Sequence, residues 1–125
     1  MNTLSIIGAS IVTLALISYS IGILTEQFRK QILPRVLIFI TLGVFLDITA
    51  TVFMILGSKN SPFTIHGFIG YSALLAMLVE LVRIWRTYRK SGMGAEVPRG
   101  VHLYSRYAYI WWVIAYITGS LLAMT

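Results

Sequence analysis

Residues 63–86, FTIHGFIGYSALLAMLVELVRIWR, form the stretch that decides the fold. As an α-helix, the 24 residues of this stretch are long enough to cross a bilayer, whose hydrocarbon core takes about 20 residues. The stretch carries His66 near its start and Glu80 well inside it, 14 residues later. At about 3.6 residues per turn, the two side chains lie within about 40° of each other on one helix face. An apolar helix with two ionisable groups on one stripe indicates a membrane span that contributes to a functional site.

The composition extends this interpretation to the whole chain. Of its 125 residues, 58% are hydrophobic and only 11% are charged, and its mean hydropathy is +0.84. A soluble domain carries about 25% charged residues. We therefore expect one transmembrane domain over residues 1–125. The chain has no cysteine, which excludes disulfides, thiolate metal sites and a cysteine nucleophile.

Three further apolar runs, at residues 4–24, 36–56 and 101–124, are each long enough to span a bilayer. With residues 63–86 they predict an all-α integral membrane protein of four helices. The connections between the runs are short, so consecutive helices should be antiparallel neighbours. The predicted fold is an up-down-up-down four-helix bundle.

The basic residues predict how this bundle is oriented. Nine of the ten lie in or beside the first and third loops, and one, Lys59, lies in the second. The nine are Arg29, Lys30, Arg35, Arg83, Arg86, Arg89, Lys90, Arg99 and Arg106. The positive-inside rule then places loops one and three in the cytoplasm and both termini outside, in a multi-pass protein of the cytoplasmic (inner) membrane. Because these charges lie where they meet lipid headgroups, the net charge of +6 does not indicate a nucleic-acid partner.

The ionisable residues inside the spans are the candidate site. Asp47 lies near the middle of the second span, where an aspartate costs about 2.5–3.5 kcal/mol, so it needs a partner or a proton. Glu80 either forms an ion pair with Arg83 or Arg106 or belongs to a relay of charges. His102, at the start of the fourth span, is either an interfacial residue or a ligand.

One functional interpretation is a small b-type-cytochrome-like protein, in which His66 and His102 are candidate ligands of haem b. The two histidines lie near opposite membrane faces, about 25–30 Å apart, and cannot share one iron within a monomer. A bound haem would then be five-coordinate, have a non-histidine ligand, or lie between the subunits of a homo-oligomer.

The alternative is a non-enzymatic proton- or ion-coupled transporter, or an oligomeric assembly protein. Asp47, Glu80, Arg83 and Arg106 are then the candidate proton or charge relay. His66 near the outer face and Glu80 near the inner face form the two ends of a polar stripe, with Asp47 between them. Because these side chains lie at different depths in the membrane, they do not converge on one metal ion. The chain has no nucleophile elbow, phosphate loop or HExxH motif, so we expect no catalytic residue.

The chain also resembles the HsmA-like family of small four-helix bacterial membrane proteins. The matching residues cover all four spans: Tyr19, Ile21, Gly22, Asp47, Thr51, Met54, His66, Gly67, Gly70, Met77, His102, Ser105, Trp112 and Gly119. The resemblance implies the four-helix membrane fold. It also implies a histidine where this chain has Glu80 and a proline where it has Ala115. A glutamate at position 80 weakens the haem interpretation for this member.

Overall fold

Four α-helices make up the computed structural model, which describes residues 3–57 and 65–124, without the side chains of 4, 5, 57, 65, 66 and 120–124. The helices are α1 (Thr3–Arg29), α2 (Pro34–Gly57), α3 (Ile65–Ser91) and α4 (Arg99–Met124). Within these ranges no strand forms, and the only β-type pairing is an isolated bridge between Gln31 and Glu96. The predicted all-α fold is confirmed.

Two of the helices continue well past the apolar runs that predicted them. The apolar run in α1 ends at Leu24, but the helix continues to Arg29; α3 continues from the predicted end at Arg86 to Ser91. The added turns are rich in Glu, Gln, Arg and Lys, which are good helix formers. Hydrophobicity indicates where a helix leaves the bilayer. The helix itself ends where its backbone hydrogen bonds stop, which can be several residues later.

Both extended helices end on a residue in the left-handed conformation. Lys30 has φ 55° and its N–H donates to the carbonyl of Glu26 at 2.6 Å. Gly92 has φ 86° and its N–H donates to the carbonyl of Tyr88 at 2.7 Å. This arrangement satisfies a terminal carbonyl and turns the chain away from the helix axis.

Among the described residues, three helices have segments long and apolar enough to cross a membrane, Ile6–Arg29, Pro34–Leu56 and Gly67–Ser91. Their outer faces carry large apolar side chains such as Phe45, 67% exposed, and Leu75, 62% exposed. Such faces suit contact with lipid. A fourth span, on α4, stays a prediction.

The helices pack in a ring, in which α1 and α3 each contact both α2 and α4. Small residues let α1 and α2 approach closely. A Cβ atom on Gly43 would lie 2.5 Å from the Tyr19 ring, and one on Gly22 would lie 2.9 Å from Ile40 Cγ1. Glycine at position 43 therefore makes room for Tyr19, which is fully buried in the core.

The first and third loops pair with each other over one end of the ring. The N–H of Ile32 donates to Ala95 O at 2.8 Å, and the N–H of Val97 donates to Lys30 O at 2.9 Å. The side chains of Ile32 and Val97 are buried and join the apolar core. This end of the bundle, called the loop end below, is thus closed by both loops together.

Candidate functional site

The first polar group in the core surrounds Asp47 on α2. Its Oδ2 atom accepts a hydrogen bond from the Tyr19 hydroxyl at 2.9 Å and another from Trp112 Nε1–H at 2.8 Å. Asp47 is 5% exposed, Tyr19 is fully buried and Trp112 is 3% exposed. We call these three residues the central cluster. They join α1, α2 and α4 through one carboxyl oxygen.

Aromatic rings support the central cluster. The rings of Tyr19 and Trp112 meet edge to face with centroids 4.9 Å apart, and Trp112 stacks on Tyr116 at 5.9 Å. The Tyr116 hydroxyl lies 3.0 Å from Thr13 Oγ1 on α1. The two donors to Asp47 are therefore held by ring packing as well as by their hydrogen bonds.

A second polar group lies near the loop end. It consists of Glu26, Gln27, Glu80, His102, Ser105 and Arg106, and we call it the loop-end cluster. The Glu26 carboxyl is fully buried, with Oε2 2.7 Å from His102 Nδ1 and Oε1 accepting from Gln27 Nε2–H at 2.8 Å. Arg106 donates from Nε to Gln27 Oε1 at 3.0 Å. Among the described residues, Glu26 and His102 are the one acidic and basic pair within salt-bridge distance.

Glu80 enters the loop-end cluster from α3. Its Oε1 atom accepts a hydrogen bond from Ser105 Oγ at 2.6 Å, and the same hydroxyl lies 3.0 Å from Val101 O. Glu80 is fully buried, and its Oε2 atom has no hydrogen-bond partner among the described residues. An unpaired buried carboxyl oxygen is costly, so this atom marks a functional candidate.

A pair of hydroxyls lies at a depth between the two clusters. Tyr19 and Glu26 are seven residues apart on α1, and Ser105 and Trp112 are seven apart on α4, or about 10 Å along each helix. Between them, Ser20 Oγ and Tyr109 OH lie 2.6 Å apart. Polar groups therefore occur at three successive depths along the contact of α1 with α4.

The residues predicted for the site are divided between these groups. Asp47 lies in the central cluster, whereas Glu80, His102 and Arg106 lie in the loop-end cluster. The Glu80 carboxyl accepts from Ser105 rather than from either arginine considered as its partner. Arg83 lies instead over the Tyr104 ring, 5.0 Å from its centroid. The predicted ligand His66 has its side chain outside the described residues.

Glu26 is the site residue that the sequence analysis missed, because it follows the apolar run and was assigned to the first loop. The helix continues through it, so Glu26 follows Tyr19 and Ile23 at helical spacings of seven and three residues. All three are fully buried. Extending the helical pattern of buried residues by one turn beyond Leu24 would have found it.

The geometry of His102 does not suit an axial haem ligand. Its Nδ1 atom faces Glu26, and its Nε2 atom lies 3.4 Å from Arg106 Nη2, so both ring nitrogens face protein groups. An axial ligand must turn one of these nitrogens toward iron. Among the described residues, no group of three or more histidine, aspartate or glutamate side chains is arranged to hold a metal ion.

No family model, curated protein or solved structure matches this chain. The resemblance to the HsmA-like family therefore stays a prediction, carried by the residues named for it above.

Proposed function

We propose that the protein is a non-enzymatic, proton-coupled protein of the bacterial cytoplasmic membrane, in which Glu80 binds and releases the proton. The observation that carries this proposal is the environment of the Glu80 carboxyl. It is fully buried inside an apolar bundle, and its Oε2 atom has no hydrogen-bond partner among the described residues. Ionisable groups placed this deeply in membrane proteins typically belong to proton or ion pathways.

The two oxygen contacts of Ser105 favour a neutral Glu80, which would reverse the direction of the hydrogen bond that an ionised Glu80 accepts from Ser105. A serine hydroxyl has one hydrogen to donate, but Ser105 Oγ has two acceptors within reach: Glu80 Oε1 at 2.6 Å and Val101 O at 3.0 Å. If Glu80 carries a proton, its own O–H donates to Ser105 Oγ, and the serine donates to the Val101 carbonyl. Each hydrogen then has one acceptor, and no unpaired negative charge is buried.

Glu26 has the opposite arrangement. Both of its oxygens face nitrogen groups: Oε1 accepts from Gln27 at 2.8 Å, and Oε2 lies 2.7 Å from His102 Nδ1. With the ring hydrogen of His102 on Nδ1, both Glu26 oxygens have an N–H donor. We therefore assign the exchangeable proton of the loop-end cluster to Glu80.

The polar groups between the clusters suggest the route. A proton that leaves Glu80 meets Ser105 first, and the hydroxyl pair of Ser20 and Tyr109 lies at the next depth. The central cluster around Asp47 follows about 10 Å further along the helices. We propose that protons pass between Glu80 and Asp47 through these hydroxyls and transient water.

We also propose an up-down-up-down bundle of four spans with both termini outside. Neighbouring positions support opposite directions for the paired helices. On α1 and α2, Gly8 lies beside Met54 and Gly22 lies beside Ile40. The pairing of the first and third loops, which carry most of the basic residues, supports a cytoplasmic loop end.

Proton flux into liposomes tests the function. The purified protein is reconstituted with a pH-sensitive dye inside the vesicles, and a potassium gradient with valinomycin sets the membrane potential. We expect acidification with the native protein and a rate equal to that of protein-free vesicles for Glu80→Gln. The matched control is Glu96→Gln, because Glu96 is an exposed loop residue and the substitution makes the same change of a carboxyl group to an amide.

The two variants separate a role of Glu80 from a general effect of a glutamate-to-glutamine substitution. Flux that persists in Glu80→Gln would remove Glu80 from the pathway. Flux lost equally in Glu96→Gln would indicate a defect in reconstitution. Tyr109→Phe should slow the flux without abolishing it, since transient water can replace one hydroxyl.

Haem binding is the second candidate, and one observation favours it. The Nδ1 atom of His102 lies 2.7 Å from Glu26, and a carboxylate at this position typically orients a metal-binding histidine. Iron at Nε2 would require Arg106 to move away, for example at a contact between two copies of the chain. The visible spectrum of the purified protein, before and after addition of haem, decides this candidate: a Soret band lost in His102→Ala would favour haem over the proton site.

A further inference from the structure

An open groove of about 350 Å³ lies on the outer surface where α1 meets the start of α2. Its apolar part is formed by Ile21, Leu24 and Phe28 of α1, and Arg29 and Arg35 line its end. Phe28 is 82% exposed. The groove therefore joins an apolar channel to two guanidinium groups.

The groove has the length of half a bilayer. It runs along α1 from Ser20 to Arg29, nine residues or about 14 Å. One leaflet of a hydrocarbon core is about 15 Å thick. Its arginines lie at the loop end and its apolar residues lie inside the span, in the same order as the headgroup and acyl chain of a lipid.

The two arginines have no carboxylate partner among the described residues. The nearby Glu26 is turned into the core, where its carboxyl group contacts His102. Both arginines are exposed, and they approach the groove from two different helices. Guanidinium groups bind phosphate oxygens in bidentate fashion, so this pair suits a phosphate group.

We propose that this groove binds one anionic glycerophospholipid, with its phosphate between Arg29 and Arg35 and an acyl chain along Ile21, Leu24 and Phe28. This groove lies on the outer surface, whereas Glu80 of the loop-end cluster is buried inside the bundle. A second copy of the chain suits the groove less well, because a two-fold contact here would bring Arg29 and Arg35 of one copy against the same residues of the other.

Native mass spectrometry of the detergent-solubilised protein tests the site. The protein is mixed with equal amounts of dioleoylphosphatidylglycerol and dioleoylphosphatidylcholine, and the bound lipids are counted. We expect one phosphatidylglycerol to be retained, with a preference over phosphatidylcholine of roughly tenfold or more. This is the size of effect expected for two arginines near an anionic headgroup. The double variant R29Q/R35Q should lose the preference, and R29K/R35K should keep part of it.

The matched control is R86Q/R99Q, which removes two exposed arginines that do not line the groove. It should retain the phosphatidylglycerol. A third variant, Leu24→Trp, fills the apolar part, keeps both charges and should also lose the lipid. Circular dichroism shows that each variant is folded, and Leu24→Trp alone tests the site if R29Q/R35Q fails to fold.

Equal binding of the two lipids, or equal losses in R29Q/R35Q and R86Q/R99Q, would overturn the proposal. So would a native dimer that R29Q/R35Q converts to monomer without change in bound lipid, since the groove would then be a contact between copies.

Discussion

At the scale of single residues, Glu26 and Glu80 share one polar cluster but have different partners. Glu26 faces two nitrogen groups, those of Gln27 and His102, whereas Glu80 faces one hydroxyl and leaves an oxygen unpaired. Environments that differ in this way give two carboxyl groups different roles. Replacing each glutamate by its neutral amide should therefore have different effects on stability.

We expect Glu26→Gln to lower the free energy of unfolding by about 1.5–3 kcal/mol, the size of a hydrogen bond to a charged group. Glu80→Gln should change it by less than about 1 kcal/mol, because in the proposed function an amide replaces a neutral carboxyl group. Thermal unfolding in detergent, followed by circular dichroism, measures both. Equal losses in the two variants would show that Glu80 is ionised in the folded protein.

The hydroxyl of Tyr19 offers a second test at this scale. Tyr19→Phe removes one of the two donors to Asp47 and leaves the buried carboxyl with Trp112 alone. The expected cost is about 1–3 kcal/mol of stability. Tyr107→Phe is the matched control, because the Tyr107 side chain is 63% exposed on the outside of the bundle. Thermal unfolding of both variants in the same detergent compares their losses of stability. Similar losses would contradict a stabilising role of the Tyr19 hydroxyl.

At the scale of the helices, the closest contact is between α1 and α2, where Gly43 lies against the Tyr19 ring. An aromatic ring packed in the core cannot yield as a flexible chain end does. A methyl group at this position would therefore push α2 away or displace the donor to Asp47. Close approach through small residues is a common means of helix association in membranes.

We expect Gly43→Ala to destabilise the protein by about 1–3 kcal/mol, the cost of overpacking a core. Gly70→Ala is the control, since a Cβ atom at Gly70 meets no atom within 4 Å. In a helix interior that change should stabilise by about 0.5–1 kcal/mol. Unfolding temperatures should move in opposite directions, and a shift in the same direction would refute the packing argument.

At the scale of the whole molecule, the paired first and third loops bring the basic residues of both to one end. Those charges and the two arginines of the lipid groove then meet the same leaflet. The loop-end cluster lies beneath these loops, and the central cluster lies deeper in the bundle. In the proposed function, the orientation of the bundle in the membrane therefore decides from which side Glu80 exchanges its proton.

Single cysteine variants test that orientation directly, because the native chain has no cysteine. Met93→Cys, in the third loop, should be protected from a membrane-impermeant maleimide in intact spheroplasts and react after lysis. Asn60→Cys, in the second loop, should react without lysis. The reverse labelling pattern would show that the bundle has the opposite orientation, with Glu80 nearer the outer face of the membrane.

The sequence by itself determined the helical membrane class, the number of helices and the presence of Asp47 and Glu80 within apolar runs. Each follows from local physics: the length of apolar runs and the cost of an ionisable group within them. It placed Glu26 in a loop, because hydrophobicity marks the bilayer boundary and not the helix end. It also left the partner of Glu80 open between two arginines.

Only the tertiary structure decided which polar groups meet. The Tyr19 and Trp112 donors come to Asp47 from helices 28 and 65 residues away in the chain, and Ser105 comes to Glu80 from 25 residues away. Such pairings depend on the rotation and depth of each helix against its neighbours, which close contacts such as that of Gly43 with Tyr19 set. Residues 63–86, which decide the fold, therefore carry Glu80 alone. The other glutamate of the loop-end cluster, Glu26, comes from α1.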